Sequence, residues 1–339
     1  MEVSVGIQEE FRVYKKRTDH FVEVKEGNKI LIGLAGKQKS GKTTLAWVLA
    51  GYYDATVAPF ASAIKGGVSY QYSILAFRPQ WLNGVRRQLQ DCGMTGRNIS
   101  DHEDLWIKCW QANFGNLPRC IIPDVRFPNE VEFIHSKGGK VIYLNYVKAP
   151  YDPHPSEQLS PQECDYIIEV TDDNRSWVLS QIMNFLRHHF GEPISKPRVY
   201  VGGNIHGERV YEETFQHLER LGKHYGFIPL VPLDATDRAR WSSLLMEQPF
   251  PIASRELVVS DINLIKQSHA ALFWLEKPSI GVAMEIVCAA LNERPIVVIT
   301  PHLDLFYHPW LQAFATKVIW SNDPSEGWKF LYTLFSPTI

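Results

Sequence analysis

Short apolar runs alternate with amphipathic stretches along most of the chain. In the first half the pattern predicts strands at residues 29–35, 119–123, 140–145 and 166–169. A helical stretch follows the first strand as far as residue 52, and an amphipathic helix spans residues 176–190. Alternation of strands and helices favours a mostly parallel sheet, because parallel neighbours need a long crossover connection.

A second series of the same kind begins after a polar segment that contains proline and glycine, residues 191–197. Its pattern predicts strands at residues 198–201, 228–231, 270–275 and 295–300, and helices at residues 211–225, 254–267 and 282–291. We therefore expect an α/β protein with two independent Rossmann-like three-layer units, residues 29–190 and 198–339, joined by a linker at residues 191–197. Residues 1–28 form an N-terminal extension to which the sequence assigns no function.

Composition narrows the classes of function. The chain has 339 residues, 45% hydrophobic and 21% charged, and a formal net charge of −2. A net charge this small creates no overall electrostatic attraction to nucleic acid or to an anionic membrane, so neither is an expected partner. The five cysteines are dispersed without a CxxC pair, which is typical of reduced thiols in a cytoplasmic compartment. No apolar run reaches membrane-spanning length.

The segment after the first predicted strand carries a phosphate-binding pattern. Residues 36–43 (GKQKSGKT) fit G-x-x-x-x-G-K-[ST] in full, through Gly36, Gly41, Lys42 and Thr43. Backbone amides of such a loop cradle phosphates, the lysine reaches the terminal phosphates, and the threonine ligates Mg²⁺. We expect an ATP–Mg²⁺ site whose contacts also include the neighbouring residues Ser40 and Thr44. The alternative is a glycine-rich turn that binds no phosphate and carries a solvated lysine.

A carboxylate ends another apolar strand, at Asp124. Aspartate at the carboxyl end of such a strand can help to hold the metal or orient an acceptor. An ordinary strand-end aspartate is an equally good interpretation of this residue taken alone.

Several segments between residues 30 and 190 resemble the bacteriophage deoxynucleoside monophosphate kinases. They include residues 34–44, 58–61 with Lys65, 85–90 (VRRQLQ), 123–130 (PDVRFPNE), 154–157 (HPSE) and 165–168. The resemblance implies a P-loop NTPase fold, a phage origin, and ATP-dependent phosphorylation of deoxynucleoside 5′-monophosphates. It makes Lys42, Asp124 and Arg126 candidate catalytic residues and Arg86 and Arg87 candidate phosphate-binding residues, because a guanidinium matches phosphate oxygens. His154 and Glu157 are equally compatible with a structural role.

A second candidate site lies near residues 277–285 (KPSIGVAME), which join a predicted strand to a helix. Ser279 and Gly281 fall at the helix N-terminus, where free amides favour a phosphate. Glu285 follows and points toward the same crevice, a workable layout for attack on C1′ of a nucleotide. The alternative is that Glu285 only complements the helix dipole.

Three segments of the second half resemble the nucleoside 2-deoxyribosyltransferase superfamily, and in particular its 2′-deoxynucleoside 5′-phosphate N-hydrolases. They are residues 200–207 (YVGGNIHG), 260–263 (SDIN) and 278–285. The resemblance implies a doubly wound parallel sheet, Glu285 as nucleophile, Asp261 as helper of base departure and Tyr200 as orienting residue. It also makes Ser279, Gly281 and the loop of Gly203, Asn204, Ile205 and His206 candidate substrate-binding residues. Asn204 and His206 depart from the Ser-Ile-Arg-Gly loop of the hydrolases.

The combined expectation is a bifunctional enzyme of deoxynucleotide metabolism that forms a homo-oligomer through its C-terminal domain. One unit phosphorylates a deoxynucleoside monophosphate, and the other cleaves or exchanges its N-glycosidic bond. Two alternatives stay open: a kinase whose second domain only senses nucleotides or drives oligomerisation, and a P-loop ATPase switch with no acceptor.

Overall fold

A computed structural model describes residues 29–64, 86–100, 103–204, 208–232 and 250–336. It is an α/β structure with two five-stranded sheets, and every strand pair in them is parallel. The predicted fold class is confirmed to that extent. Within the described ranges, no helix has the length and apolar character needed to cross a membrane.

The first sheet has the order β2-β3-β1-β4-β5. Its strands are β1 (Ile30–Gly36), β2 (Thr56–Val57), β3 (Arg119–Val125), β4 (Lys140–Tyr146) and β5 (Tyr166–Val170). The associated helices are α1 (Lys42–Tyr53), α2 (Arg86–Ser100), α3 (Leu105–Phe114), α4 (Pro128–Ser136) and α5 (Arg175–Phe190). Strand β1 lies at the centre, so both of its faces are covered and its sequence is an uninterrupted apolar run.

The second sheet has the order β10-β9-β8-β6-β7. Its strands are β6 (Arg198–Gly203), β7 (Ile228–Leu230), β8 (Ala270–Trp274), β9 (Ile296–Thr300) and β10 (Lys317–Trp320). Its helices are α6 (Glu208–His224), α7 (Phe250–Gln267), α8 (Ile280–Leu291), α9 (Leu303–Phe306), α10 (Pro309–Phe314) and α11 (Ser325–Phe335). The order reverses between β6 and β8, and ligands of doubly wound sheets bind at such a switch point.

The two sheets share a hydrophobic core. One cluster joins Trp47 of α1 and Leu179 of α5 to Leu218 of α6 and Trp328 of α11, all buried. The Tyr52 hydroxyl adds a hydrogen bond of 2.7 Å to the carbonyl of Phe335. The polar composition of the linker gave no sign that α5 and α11 pack together. The domain boundaries themselves stay a prediction.

Polar contacts reinforce this junction. Asp54, directly after α1, pairs with Arg119 of the first sheet and Arg198 of the second, each at 2.9 Å. The Arg294 guanidinium lies 3.6 Å from the centre of the Trp47 ring. Because α1 begins at the phosphate-binding pattern, the second unit packs directly on the helix that supports the first candidate site.

Two candidate active sites

The first candidate site lies where β1 ends and α1 begins. Gly36, Lys39 and Gly41 have positive φ angles of 131°, 66° and 85°. A Cβ on Gly36 would lie 2.4 Å from the Leu144 carbonyl oxygen, so only glycine fits there. Left-handed residues in a short loop turn backbone amides toward one concavity, the arrangement that binds anions.

Lys42 folds over this loop. Its Nζ donates hydrogen bonds to the Gly36 carbonyl at 2.7 Å, the Lys37 carbonyl at 2.6 Å and Ser40 Oγ at 3.1 Å. Lys42 is only 7% exposed. The alternative interpretation, a glycine-rich turn with a solvated lysine, therefore does not describe this loop. The ammonium group is held over the mouth of the loop, within reach of an anion bound to the loop amides.

A cleft of about 650 Å³ opens beside the loop. Its polar lining includes Lys42, Thr43, Thr44, Asp124 and Arg126. The other walls are largely apolar and comprise Phe60, Ile64, Leu89, Met94, Trp106 and Phe127. Cationic and amide groups together with aromatic side chains match the two chemistries of a nucleotide, its phosphates and its base.

Asp124 has a defined structural task. Its Oδ1 accepts the Phe60 amide and its Oδ2 the Ala61 amide, both at 2.9 Å. The aspartate thus fastens the 60–61 wall of the cleft to the end of β3. Each carboxylate oxygen has a further lone pair, so Asp124 can accept these amides and still bind a metal. Its metal-binding role stays a prediction.

Arg126 lies beside the phosphate-binding loop. Its Nη1 forms an ion pair with Glu157, a buried carboxylate, and lies 3.5 Å from the Gly36 carbonyl oxygen. Glu157 therefore belongs to the site, because it holds the guanidinium beside the loop. While Nη1 of Arg126 is paired with Glu157, the guanidinium keeps further N–H donors that can bind phosphate oxygens.

A buried ion pair also lines this cleft. Arg97 Nη2 contacts Glu130 Oε1 at 2.6 Å, and the guanidinium stacks 3.8 Å from the centre of the Phe127 ring. Glu130 Oε2 accepts the Arg126 amide at 2.7 Å. Burial raises the pKa of Glu130 to about 7, against the opposing effect of Arg97.

The first site suits a Mg²⁺–nucleotide. The N-cap residue of α1 is Gly41, which has no side chain to cap the first-turn amides, and a Cβ there would meet open space. No group of three or more His, Cys, Asp and Glu side chains poised for a metal occurs among the described residues. Mg²⁺ seldom needs one: it is held by one or two protein oxygens together with phosphates and water. The Thr43 hydroxyl and Asp124 would be those oxygens.

The second candidate site lies at the carboxyl ends of β6 and β8, the switch point of the second sheet. Tyr200 is fully buried in β6, and Gly203 ends that strand beside Trp274 of β8. Glu285 lies on α8. A Cβ on Gly202 would lie 2.7 Å from Glu285 Oε2, so the glycine leaves room for this carboxylate.

Glu285 lies too far along α8 to serve the helix dipole. The helix is capped by Ser279, and its first turn holds no acidic residue. Dipole effects fall off within that turn, so the alternative role of Glu285 loses its support. Glu285 Oε2 is buried.

Two carboxyl groups share the second site. Burial raises the pKa of Glu285 to about 8, with a further increase from the nearby Asp261 charge, while the Tyr200 hydroxyl favours the ionised form. Burial likewise raises the pKa of Asp261 to about 6. The structure thus brings together the three residues predicted as nucleophile, proton donor and orienting group.

Asn204 holds the loop between β8 and α8. Its Oδ1 accepts the amides of Glu276 at 2.8 Å and Lys277 at 3.1 Å, and its Nδ2 donates to the Lys277 carbonyl at 2.8 Å. The side chain predicted to bind substrate therefore already positions the loop that leads to Ser279. This structural role explains why residue 204 is asparagine here and not the serine of the Ser-Ile-Arg-Gly loop.

Replacing Asn204 with alanine is expected to lower stability by about 1–3 kcal/mol, because the freed backbone groups lose their partners. Asn204→Asp keeps the acceptor for both amides and loses only the donor, so we expect a smaller loss. Urea unfolding of the two variants measures the difference. Equal stability of Asn204→Ala and the unmodified protein would contradict this role.

The remaining predicted residues divide into two groups. Ser279 Oγ caps α8 through the Val282 amide at 3.5 Å, and Gly281 is exposed in the first turn. Ile205 and His206 lie outside the described residues. Arg86 and Arg87 begin α2, but their side chains lie outside the described part. Roles for these six residues stay predictions.

Sequence reasoning missed Arg97, Glu130 and Glu293, which all line the first cleft. Glu130 could have been found, since it stands three residues after the residue that precedes α4, the spacing of a capping carboxylate. Arg97 stands in a polar helix, and Glu293 follows a helix of the other unit, so no local pattern marks either residue.

Comparison of the chain with known protein-family models gives no match, and a search of curated proteins finds no significant relative.

Proposed function

We propose that the protein is a bifunctional enzyme of deoxynucleotide metabolism. The first cleft phosphorylates deoxynucleoside 5′-monophosphates with ATP, and the second site cleaves or exchanges the N-glycosidic bond of a deoxynucleoside 5′-monophosphate. The observation that carries the proposal is the largely buried group of Glu285, Asp261 and Tyr200 at the switch point of a sheet that shares a hydrophobic core with α1, the helix that follows a complete phosphate-binding loop.

Phosphoryl transfer requires positioning and neutralisation of charge more than covalent chemistry. The loop amides and Lys42 would hold the terminal phosphates of ATP, and Arg126, oriented by Glu157, would hold the acceptor or transferring phosphate. Mg²⁺ at Thr43 and Asp124 would neutralise charge on the phosphate oxygens. The strand order 2-3-1-4-5, with the loop after the central strand, supports the proposed P-loop fold.

Dependence of ATP turnover on the acceptor tests this activity. We expect ADP release to rise when a deoxynucleoside monophosphate is added and an equal amount of diphosphate to form. ATP turnover that is indifferent to every monophosphate would instead identify a P-loop ATPase switch.

The second activity follows from a carboxylate aimed at a sugar carbon. Glu285 attacks C1′ as the C1′–N bond breaks, and the electron pair leaves with the base, which takes a proton from Asp261. Water then attacks C1′, its proton passes to Asp261, and the ester bond breaks to return the Glu285 carboxylate. A second base in place of water gives exchange. A 2-deoxy sugar suits this route, because no 2′-hydroxyl opposes oxocarbenium character at C1′.

The pH dependence of base release is a direct consequence of the paired carboxyls. They titrate as one system that holds a single proton between about pH 6 and 8. Because the pKa of Glu285 is the higher one, the proton lies mostly on Glu285, and the reactive form with an ionised Glu285 and a protonated Asp261 is the minor tautomer of the singly protonated pair. We expect a bell-shaped profile of kcat/KM with its maximum near pH 7. Asp261→Asn should abolish the alkaline limb. A flat profile from pH 5.5 to 9 would exclude this pair as the acid and base.

Capture of the covalent intermediate tests the role of Glu285. Rapid acid quenching during turnover, followed by peptide mass analysis, should show a deoxyribosyl phosphate on the peptide that contains Glu285. Base release without any such adduct, in the protein and in slowed variants alike, would favour direct attack by water.

We also propose that the protein forms a homo-oligomer through its second unit. Ile280 and Met284 of α8 are 87% and 65% exposed, and Tyr307 and Trp310 are similarly exposed around α10. Large apolar side chains grouped on one surface are typical of contact regions between proteins. Cytoplasmic location is part of the proposal and rests on the dispersed free cysteines.

A further inference from the structure

A cavity of about 370 Å³ lies at the junction of the two sheets. One wall comes from α1 and β2 of the first unit, and the other from the ends of α7 and α8 and the start of β6 in the second. Because β6 and β8 begin here, the cavity lies at the edge of the second sheet opposite the candidate site of Glu285. Among the described residues, it shares only Glu293 with the first cleft. The junction cavity therefore belongs to neither candidate active site.

Cationic side chains gather around the junction cavity, whose lining includes Arg198, Lys266 and Arg294. Arg294 Nη2 donates to the Lys266 carbonyl at 2.7 Å, and Arg198 Nε donates to the next carbonyl along the chain at 2.8 Å. The two guanidinium groups thus hold the same turn, at the end of α7. Arg198 pairs with Asp54. In the described part of the chain, neither Lys266 nor Arg294 forms an ion pair with a carboxylate.

Arg294 is a buried charge held by neutral groups. It is 7% exposed, and its Nη1 and Nη2 bind the carbonyls of Asn292 and Lys266, both at 2.7 Å. Its Nε is buried and has no hydrogen-bond partner among the described residues. Burial lowers the pKa of Arg294 to about 9, against the opposing effect of the Glu293 charge. A buried cation without a counter-ion is costly, so an anion beside Arg294 would stabilise it.

His269 presents a buried donor to the same cavity. Its Nδ1 accepts the Arg198 amide at 2.9 Å, so Nδ1 carries no proton. Burial and the neighbouring guanidinium charges lower the pKa of His269 to about 3, so the ring is neutral and its one proton lies on Nε2. Nε2 lies 3.4 Å from Arg198 Nη2. Two N–H donors therefore face each other, and an acceptor bound beside them would satisfy both.

We propose that the junction cavity is a third ligand site, which binds a phosphate group through Arg294, Lys266 and the Nε2–H group of His269. Phosphate carries several acceptor oxygens and up to two negative charges, which match the N–H donors and the two cations that lack a carboxylate partner. Water satisfies donors but does not offset charge. The phosphate is either inorganic or part of a small organic molecule, for which a cavity of about 370 Å³ has room.

Calorimetric titration of the full chain with inorganic phosphate and with 2-deoxyribose 5-phosphate, at low and constant ionic strength, tests this site. We expect the affinity for at least one of them to fall about tenfold in Lys266→Gln and in Arg294→Gln, since each change removes one charged donor. Lys317→Gln, an exposed change on β10, is the matched control and should bind like the unmodified protein. Lys266 is also exposed, so Lys266→Gln decides the result if melting shows that Arg294→Gln is unfolded.

Lys42→Met and Glu285→Gln separate the junction cavity from the two candidate active sites. Phosphate binding that Lys266→Gln weakens should persist in both of these variants. Tighter binding of the sugar phosphate would identify an organic ligand, and equal affinities would identify the phosphate group itself. Binding that Lys266→Gln and Arg294→Gln leave unchanged, or no measurable binding of either phosphate, would overturn the proposal. A protein with neither enzymatic activity, but with phosphate binding that depends on Lys266, would refute the proposed function and leave this site standing.

Discussion

Substituting Lys42 with methionine is expected to lower phosphoryl transfer by about 10²–10³-fold, the usual effect of removing one electrostatic stabiliser from a preorganised site. Methionine keeps most of the apolar stem and removes the ammonium that spans the carbonyls of Gly36 and Lys37. Base release at the second site should stay unchanged. Separate assays of diphosphate and free base measure the two effects.

The control for this variant is Lys37→Ala, which removes an exposed lysine from the same loop. Its carbonyl, and not its side chain, contacts Lys42, so we expect near-normal phosphoryl transfer. Equal losses in Lys42→Met and Lys37→Ala would show that the loop responds to any change of charge, and would remove Lys42 from the mechanism.

Glu285→Gln is expected to have two opposite effects, on activity and on stability. Base release should fall by at least about 10³-fold, because an amide cannot form the glycosyl ester. The folded protein should become more stable near pH 8. The raised pKa of Glu285 means that its contribution to stability is complete below its unfolded pKa of about 4.5 and declines as the pH rises toward 8. Glutamine avoids that loss.

The size of the stability gain is on the order of a few kcal/mol near pH 8 and vanishes near pH 4. Thermal melts of the protein and the variant across this range measure it. Glu213→Gln, an exposed change on α6, should show no such pH dependence. A variant that loses base release and also stability at pH 8 would mean that Glu285 is a structural residue.

Sequence patterns predicted most of the strands because their apolar runs are buried on both faces. β1, β3, β4 and β5 lie within a few residues of their predicted bounds. β2 was missed because Thr56–Val57 is only two residues long and has no pattern of its own. α11 was missed although its buried residues Trp328, Leu331 and Phe335 have helical spacing.

The candidate sites could be predicted only where one continuous segment carries the chemistry. The phosphate-binding loop is such a segment, and so is the start of α8 from Ser279 to Glu285. The pair of Arg97 with Glu130 and the approach of Glu293 to the first cleft join distant parts of the chain. Such contacts depend on how helices pack, and no local periodicity records that packing.

Product analysis with a panel of deoxynucleoside monophosphates tests the central claim most directly. We predict diphosphate in the presence of ATP–Mg²⁺ and free base in its absence, with Lys42→Met losing only the first product and Glu285→Gln only the second. Neither product from any monophosphate, or loss of both products in either variant, would contradict an enzyme with two separate active sites.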